Sequence, residues 1–194
     1  SWLACPGNRF PWQIWRKRYA LKVTLQKSTT GSLLDVAHFS SCGRYRYLLT
    51  REFAGDSTCL FVMLNPSTAD ASHNDPTIRR CIGFAKREGF GRLEVVNLYG
   101  YMATKPADLF ACGDPVGDGN DLAIAEALGR ADLVVVAWGN HGSFDVRRIS
   151  ALNDMISDTG MRAKCFGLTG EGQPKHPLYL RSEAELVDYS APLS

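Results

Sequence analysis

Hydrophobic and polar positions alternate along this chain in short, well-punctuated segments. Tyr45 to Thr50 alternates as a partly exposed strand does, Gly55-Asp56 supplies a turn, and Cys59 to Leu64 is a continuous apolar run of the kind a buried strand carries. The period then changes. Ile78, Cys81, Ile82 and Ala85 form an apolar stripe at helical spacing, with Asp75 placed as N-cap, Pro76 at the first helical position and Gly89 as terminator. Leu93 to Leu98 predicts a short strand, Asn120 to Gly129 a helix, and Leu133 to Trp138 a central strand buried on both faces. A helix from about Asp145 to Ser157 and a strand from Ala163 to Leu168 follow, while Tyr99 to Gly119 reads as a Pro/Gly-rich loop. This strand and helix rhythm predicts an α/β fold, three-layer αβα, around a central, mainly parallel sheet.

Length changes that picture little: 194 residues fit one domain with a sizeable core, here residues 35–194, preceded by an arm over residues 1–34. There is no run of eighteen apolar residues and no secretory pattern, so the expectation is a cytoplasmic, bacterial-type protein with no membrane partner, acting as a monomer. The six cysteines are scattered without a C-x-x-C pair, which favours buried or free thiols over a zinc site or a disulfide framework. Neither metal nor cofactor is expected.

Charge adds an asymmetry that the net value of +2 conceals. Residues 1–34 hold Arg9, Arg16, Lys17, Arg18, Lys22 and Lys27 with no acidic residue, interleaved with Trp2, Phe10, Trp12, Trp15 and Tyr19. Such an arm can neutralise phosphates and stack on bases, so Arg16, Lys17 and Arg18, with Lys175, are candidate DNA contacts. The plainer alternative is an arm whose aromatics pack on the domain while its charges face water. Arg79, Arg80, Lys86 and Arg87 lie on the polar side of their helix and read as an ordinary solvated face.

Candidate chemistry gathers where apolar strands stop. Four such ends offer Asn65-Pro66, Asn97, Gly139-Asn140 and His176-Pro177. In open α/β sheets ligands bind in the crevice at the carboxyl ends of the strands. Pro66 pushes the residue before it toward extended backbone, which holds Asn65 at the strand tip. Asparagine and histidine there can also be mere turn caps or loop-carbonyl partners.

Order and content of these motifs resemble the uracil-DNA glycosylase superfamily over approximately residues 45 to 181. Leu64-Asn65-Pro66-Ser67 resembles its first motif in the Asn-Pro form of mismatch-specific members. Val95-Val96-Asn97 looks like its strand ending in a base-reading asparagine, Val134 to Gly139 like its strand ending in Trp-Gly, and His176-Pro177-Leu178 like its last motif. The sequence Asn65-Pro66-Ser67-Thr68-Ala69-Asp70 also resembles a bacterial domain family of unassigned activity. The resemblance implies DNA as partner, a flipped pyrimidine base as substrate, Asn65 and His176 as catalytic groups, and Asn97, Pro66 and Ser67 around the base.

The residue types suit N-glycosidic cleavage, which builds positive charge on the sugar and negative charge on the departing base. Asn65 can orient water, Asn97 offers a donor and an acceptor to a base edge, and His176 can donate to a base carbonyl. Two departures from the family pattern matter. Ser67 stands where uracil-selective members carry an aromatic barrier against substituents on C5, so a C5-modified pyrimidine becomes the expected base. Leu178 replaces the usual serine after His-Pro. Asp70, Asp75 and Asn140 are supporting candidates, the two aspartates as a carboxylate source or, more ordinarily, as helix caps. The expected activity is a monofunctional DNA glycosylase, with an enzyme of free nucleotides or nucleosides and a catalytically inert nucleic-acid-binding module as alternatives.

Overall fold

The structure, a computed structural model, describes residues 23–30 and 33–190. Its centre is one eight-stranded sheet of β1 (Val23–Thr30), β2 (Leu33–Ser40), β3 (Arg46–Glu52), β4 (Thr58–Met63), β5 (Arg92–Asn97), β6 (Leu133–Val136), β7 (Lys164–Cys165) and β8 (Val187–Asp188). Spatial order is β1-β2-β3-β5-β4-β6-β7-β8. Four α-helices lie among the described residues: α1 (Pro76–Arg87), α2 (Pro106–Ala111), α3 (Asn120–Leu128) and α4 (Val146–Asp158).

The expected mainly parallel sheet is corrected. Only β5-β4, β4-β6 and β6-β7 pair parallel, whereas β1-β2, β2-β3, β3-β5 and β7-β8 pair antiparallel, so the sheet is mixed and mostly antiparallel. The strand and helix rhythm is real from β4 to β7. What it does not announce is the meander β1-β2-β3 added on one side of that parallel centre and the two-residue β8 on the other. Residues 23–30 and 33–34, which the basic aromatic arm was expected to include, supply β1 and the start of β2.

The centre is buried on both faces because β4 has no polar outward set. Cys59, Phe61 and Met63 pack with Ile78, Cys81 and Phe84 of α1, while Leu60 and Val62 pack with Ile124 and Leu128 of α3 and Leu152 and Ile156 of α4. Successive strand residues point to opposite faces, which is how one continuous apolar run feeds two clusters. Helix α1 starts as its punctuation predicts. The Asp75 carboxylate accepts from the Ile78 N–H at 2.8 Å, and Pro76 occupies the first turn, where its missing donor costs nothing. Its basic side is less free than expected: Arg87 donates to the carbonyls of Ser182 and Ala184, binding the C-terminal segment to the helix. Helix α2 lies inside the stretch read as loop. It has six residues with one buried side chain, Leu109, too few for a period to show.

Candidate functional site

Parallel pairing brings three of the singled-out strand ends to one sheet edge. Met63 is level with Asn97, and Val62 with Val136, so Asn65, Asn97 and Gly139 all follow strands that end together. Gly139 has φ of +71°, a left-handed turn that glycine adopts without strain, and its N–H donates to the Pro174 carbonyl at 2.9 Å. His176 stands beside this turn, since a Cβ on Gly139 would lie 3.5 Å from that of His176. The 3-10 turn Pro177–Tyr179 then packs on α1. The Trp138 indole donates to Gln173 Oε1 at 2.9 Å, tying the end of β6 to the loop that delivers His176.

Asn65 is half-buried, and its side-chain amide donates to the carbonyls of Pro66 at 2.9 Å and Ala103 at 2.7 Å. The donor half is thus spent on holding the backbone, and Oδ1 is the half left to orient a water. Pro66 is buried; Ser67 is half-buried and lines an open cleft. Asp70 serves as a turn cap, accepting from the N–H groups of Ser72 at 2.7 Å and His73 at 2.9 Å. Asp75 caps α1 as already described. Asn140 is exposed and bonded to Glu171 at 2.8 Å, a brace between two loops. Lys175 is exposed, whereas Arg16, Lys17 and Arg18 lie outside the described residues.

Asn97 is the anomaly of this edge. It is 1 % exposed, and among the described residues neither its Nδ2 nor its Oδ1 has a hydrogen-bond partner. It lies on the face that carries Leu93, Val95 and Met63, opposite the face of Val96 and Leu98. An unpartnered buried polar group costs about 1–3 kcal/mol, and an amide has two. A strand cap would have spent those groups on backbone.

Two buried arginines stand outside these motifs. Arg46, 1 % exposed, donates through NH1 to the Ala69 carbonyl and leaves Nε unpartnered. Arg51, 2 % exposed, donates to the carbonyls of Thr50, Asp70 and His73 and, through Nε, to Asn74 Oδ1 at 2.7 Å. Together they clamp the loop that follows Asn65-Pro66. The alternation over Tyr45 to Thr50 predicts partial exposure instead, whereas β3 is buried at every position but Glu52. A bulge in the β2-β3 register at His38/Phe39 accompanies the position of Arg46. Its backbone N–H reaches the Gly100 carbonyl at 3.0 Å, three residues beyond Asn97.

Charges couple these groups. Burial pushes the Arg46 guanidinium down to about 10, with Asp75 and Asp70 pulling it upward and Arg51 downward, so it stays cationic at neutral pH. Burial likewise pushes His176 below the ordinary histidine value, against the pull of Asp75. The His176 Nδ1 accepts from the Leu178 N–H at 3.4 Å, which places the hydrogen of the neutral ring on Nε2. The edge therefore offers an acceptor at Asn65, a donor and acceptor at Asn97, a donor at His176 and a fixed cation at Arg46.

On the other face of the sheet a second polar group is buried. Asn120 donates to the carbonyls of Asn97 and Leu98, and Arg148 Nε donates to that of Leu98 at 2.6 Å. These bonds fix the backbone from which the Asn97 side chain springs. An open cleft of about 1030 Å³ is lined by Ser67, Thr68 and the 101–104 segment, but by neither Asn97 nor His176.

No helix among the described residues is long and apolar enough to cross a membrane. No curated protein matches the chain. Among solved structures it is similar to an acetyl xylan esterase from Paenibacillus sp. R4, at 10 % identity and a TM-score of 0.36, over 74 % of this chain and 54 % of that one. The chain thus spans about half the length of that structure. A family model matches residues 46–178, from the buried Arg46 through Asn65, Asn97 and His176 to Leu178, and the chain belongs to the family described as protein of unknown function (DUF1643).

Proposed function

We propose that this chain is a monofunctional DNA glycosylase that flips a pyrimidine, one carrying a substituent at C5, and hydrolyses its bond to deoxyribose. The observation that carries the reading is the Asn97 amide, buried with both polar atoms unpartnered at the edge shared with Asn65 and His176. An adjacent donor and acceptor match the edge of a pyrimidine, which presents the complementary pair. The groups around Asn97 must part to admit the base, and the orphaned amide is then satisfied.

Cleavage breaks the bond between C1′ and the ring nitrogen, and the electron pair leaves with the base. Water held by Asn65 Oδ1 forms the new bond to C1′. One of its protons is lost to solvent, because an amide is no base. Nε2–H of His176 and the positive field of Arg46 stabilise the anionic base as it departs, which is the largest kind of contribution such groups make. The proposal carries with it a three-layer αβα arrangement of uracil-DNA glycosylase type, whose parallel centre holds the site, a monomeric state and a cytoplasmic setting.

The test is mass spectrometry of bases released from duplexes containing uracil, thymine and 5-substituted pyrimidines. The expected result is one free base and an alkali-labile abasic site, with release from a 5-substituted base at least equal to that from uracil. Release from free nucleosides but not from DNA would instead favour a nucleoside hydrolase, a reading that the acidic excess of residues 35–194 supports, with sixteen basic against twenty acidic groups. Binding without release would leave a nucleic-acid-binding module.

A further inference from the structure

The cleft beside Ser67 has a chemistry of its own. Among the described residues that line it there is no lysine or arginine, which disfavours a phosphate backbone as occupant. It presents instead the hydroxyls of Ser41, Thr68 and Thr104, the carboxylate of Asp108 in the first turn of α2, and the Tyr101 ring. The three hydroxyls make no hydrogen bond within the described residues. Hydroxyls and a carboxylate exchange hydrogen bonds with a polyol, and an aromatic face packs on the apolar face of a sugar ring.

The wall of the cleft is tied to the candidate site. Asn65 donates to the carbonyl of Ala103, a lining residue, and Ser67 lines the cleft two residues after Asn65. A volume of about 1030 Å³ is far more than a methyl group needs and accommodates a hexose with its water.

We infer that the cleft receives an uncharged, polyhydroxylated substituent attached through C5 of the pyrimidine, a glycosyl group being the plainest case. The inference rests on the reading of Asn65 and Asn97 as a pyrimidine site, with Ser67 as the passage from the ring to the cleft. Asp108 and Thr104 then act on affinity and specificity, away from the bond that breaks.

The test uses the full chain and equilibrium binding, so it needs no catalysis. Affinity is measured by calorimetry for 5-hydroxymethyl-deoxyuridine and for the same nucleoside carrying a hexose on that hydroxyl. The glycosylated nucleoside is expected to bind at least about tenfold more tightly, which corresponds to about 1.4 kcal/mol. Thr104→Trp, at an exposed position, fills the cleft and should abolish that increment while sparing the affinity for the unglycosylated form. Asp108→Ala should lower the increment in the same direction. Equal affinity for the two nucleosides, an increment that survives Thr104→Trp, or no binding by either overturns the inference. Failure of base release from every DNA substrate would strike the glycosylase reading alone, whereas release without any glycosyl preference would strike the cleft alone.

Discussion

The side-chain amide of Asn65 donates to the carbonyl of Ala103 at 2.7 Å, joining the end of β4 to the loop after β5. With a second bond to the Pro66 carbonyl, the NH2 group faces two carbonyl oxygens. An aspartate at this position would set a carboxylate against both. Asn65→Asp should therefore lower stability at neutral pH by about 1–3 kcal/mol, more than Asn65→Ala does. The introduced carboxyl is neutral when protonated and can then donate, so its folded pKa should lie above the unfolded value. Its penalty should shrink as pH falls through that raised pKa. Denaturant titrations of both variants at neutral and acid pH check this; an Asp variant as stable as the parent at neutral pH would show that the amide can be turned around.

The Asn65 edge was legible because strand ends announce themselves: an apolar run that stops at Asn-Pro, at Asn97 or at Gly139-Asn140 leaves polar groups where βα loops gather. Asp75, Pro76 and Gly89 marked α1 for the same reason, as local backbone chemistry writes itself into neighbouring residues. The sheet's outer strands were not legible. β1 and β2 pair along their length with Lys27 facing Val36 and Leu25 facing His38, a polar and apolar mixture that carries no period strong enough to separate a strand from a basic arm. Arg46 and Arg51 were hidden differently. Burial of a guanidinium depends on carbonyls from residues 69–73, more than fifteen positions away, and no local pattern reports such partners. Asn97 could be placed on a strand, but its lack of partners is a property of the packed core.

The arginine clamp predicts a specific softening. Arg51→Ala removes the donors to Asp70, His73 and Asn74 at once, while Arg46→Ala removes the one to Ala69. Hydrogen bonds from charged donors contribute about 1.5–3 kcal/mol each, so both variants should lose stability, Arg51→Ala the more. Hydrogen exchange should quicken in residues 69–74 beyond the global change. Protection there that falls only in step with the rest of the molecule would mean that the loop is held by its own Asp70 cap.

His176 provides a pH signature. Its folded pKa is depressed by burial, so below the unfolded value of about 6.5 the unfolded chain binds a proton that the folded chain resists. Stability linked to His176 should be complete above that value and decline as pH falls from it toward the depressed folded pKa. NMR titration of the imidazole should give a midpoint below 6.5, and His176→Gln should flatten the decline. A midpoint at or above the ordinary value would remove burial as the dominant influence.

The central claim is that Asn97 keeps its amide unpaired in the interior in order to read a base. Asn97→Leu, of similar volume, isolates it, because the substitution removes both orphaned atoms and fills the same space. Single-turnover base release and equilibrium unfolding should be measured on the same preparations. The prediction is opposite movement: release slower by about tenfold to a hundredfold, and stability unchanged or higher, since no hydrogen bond is lost on leucine substitution. Release at the parental rate, or a marked loss of stability with activity falling only in proportion, would contradict the account.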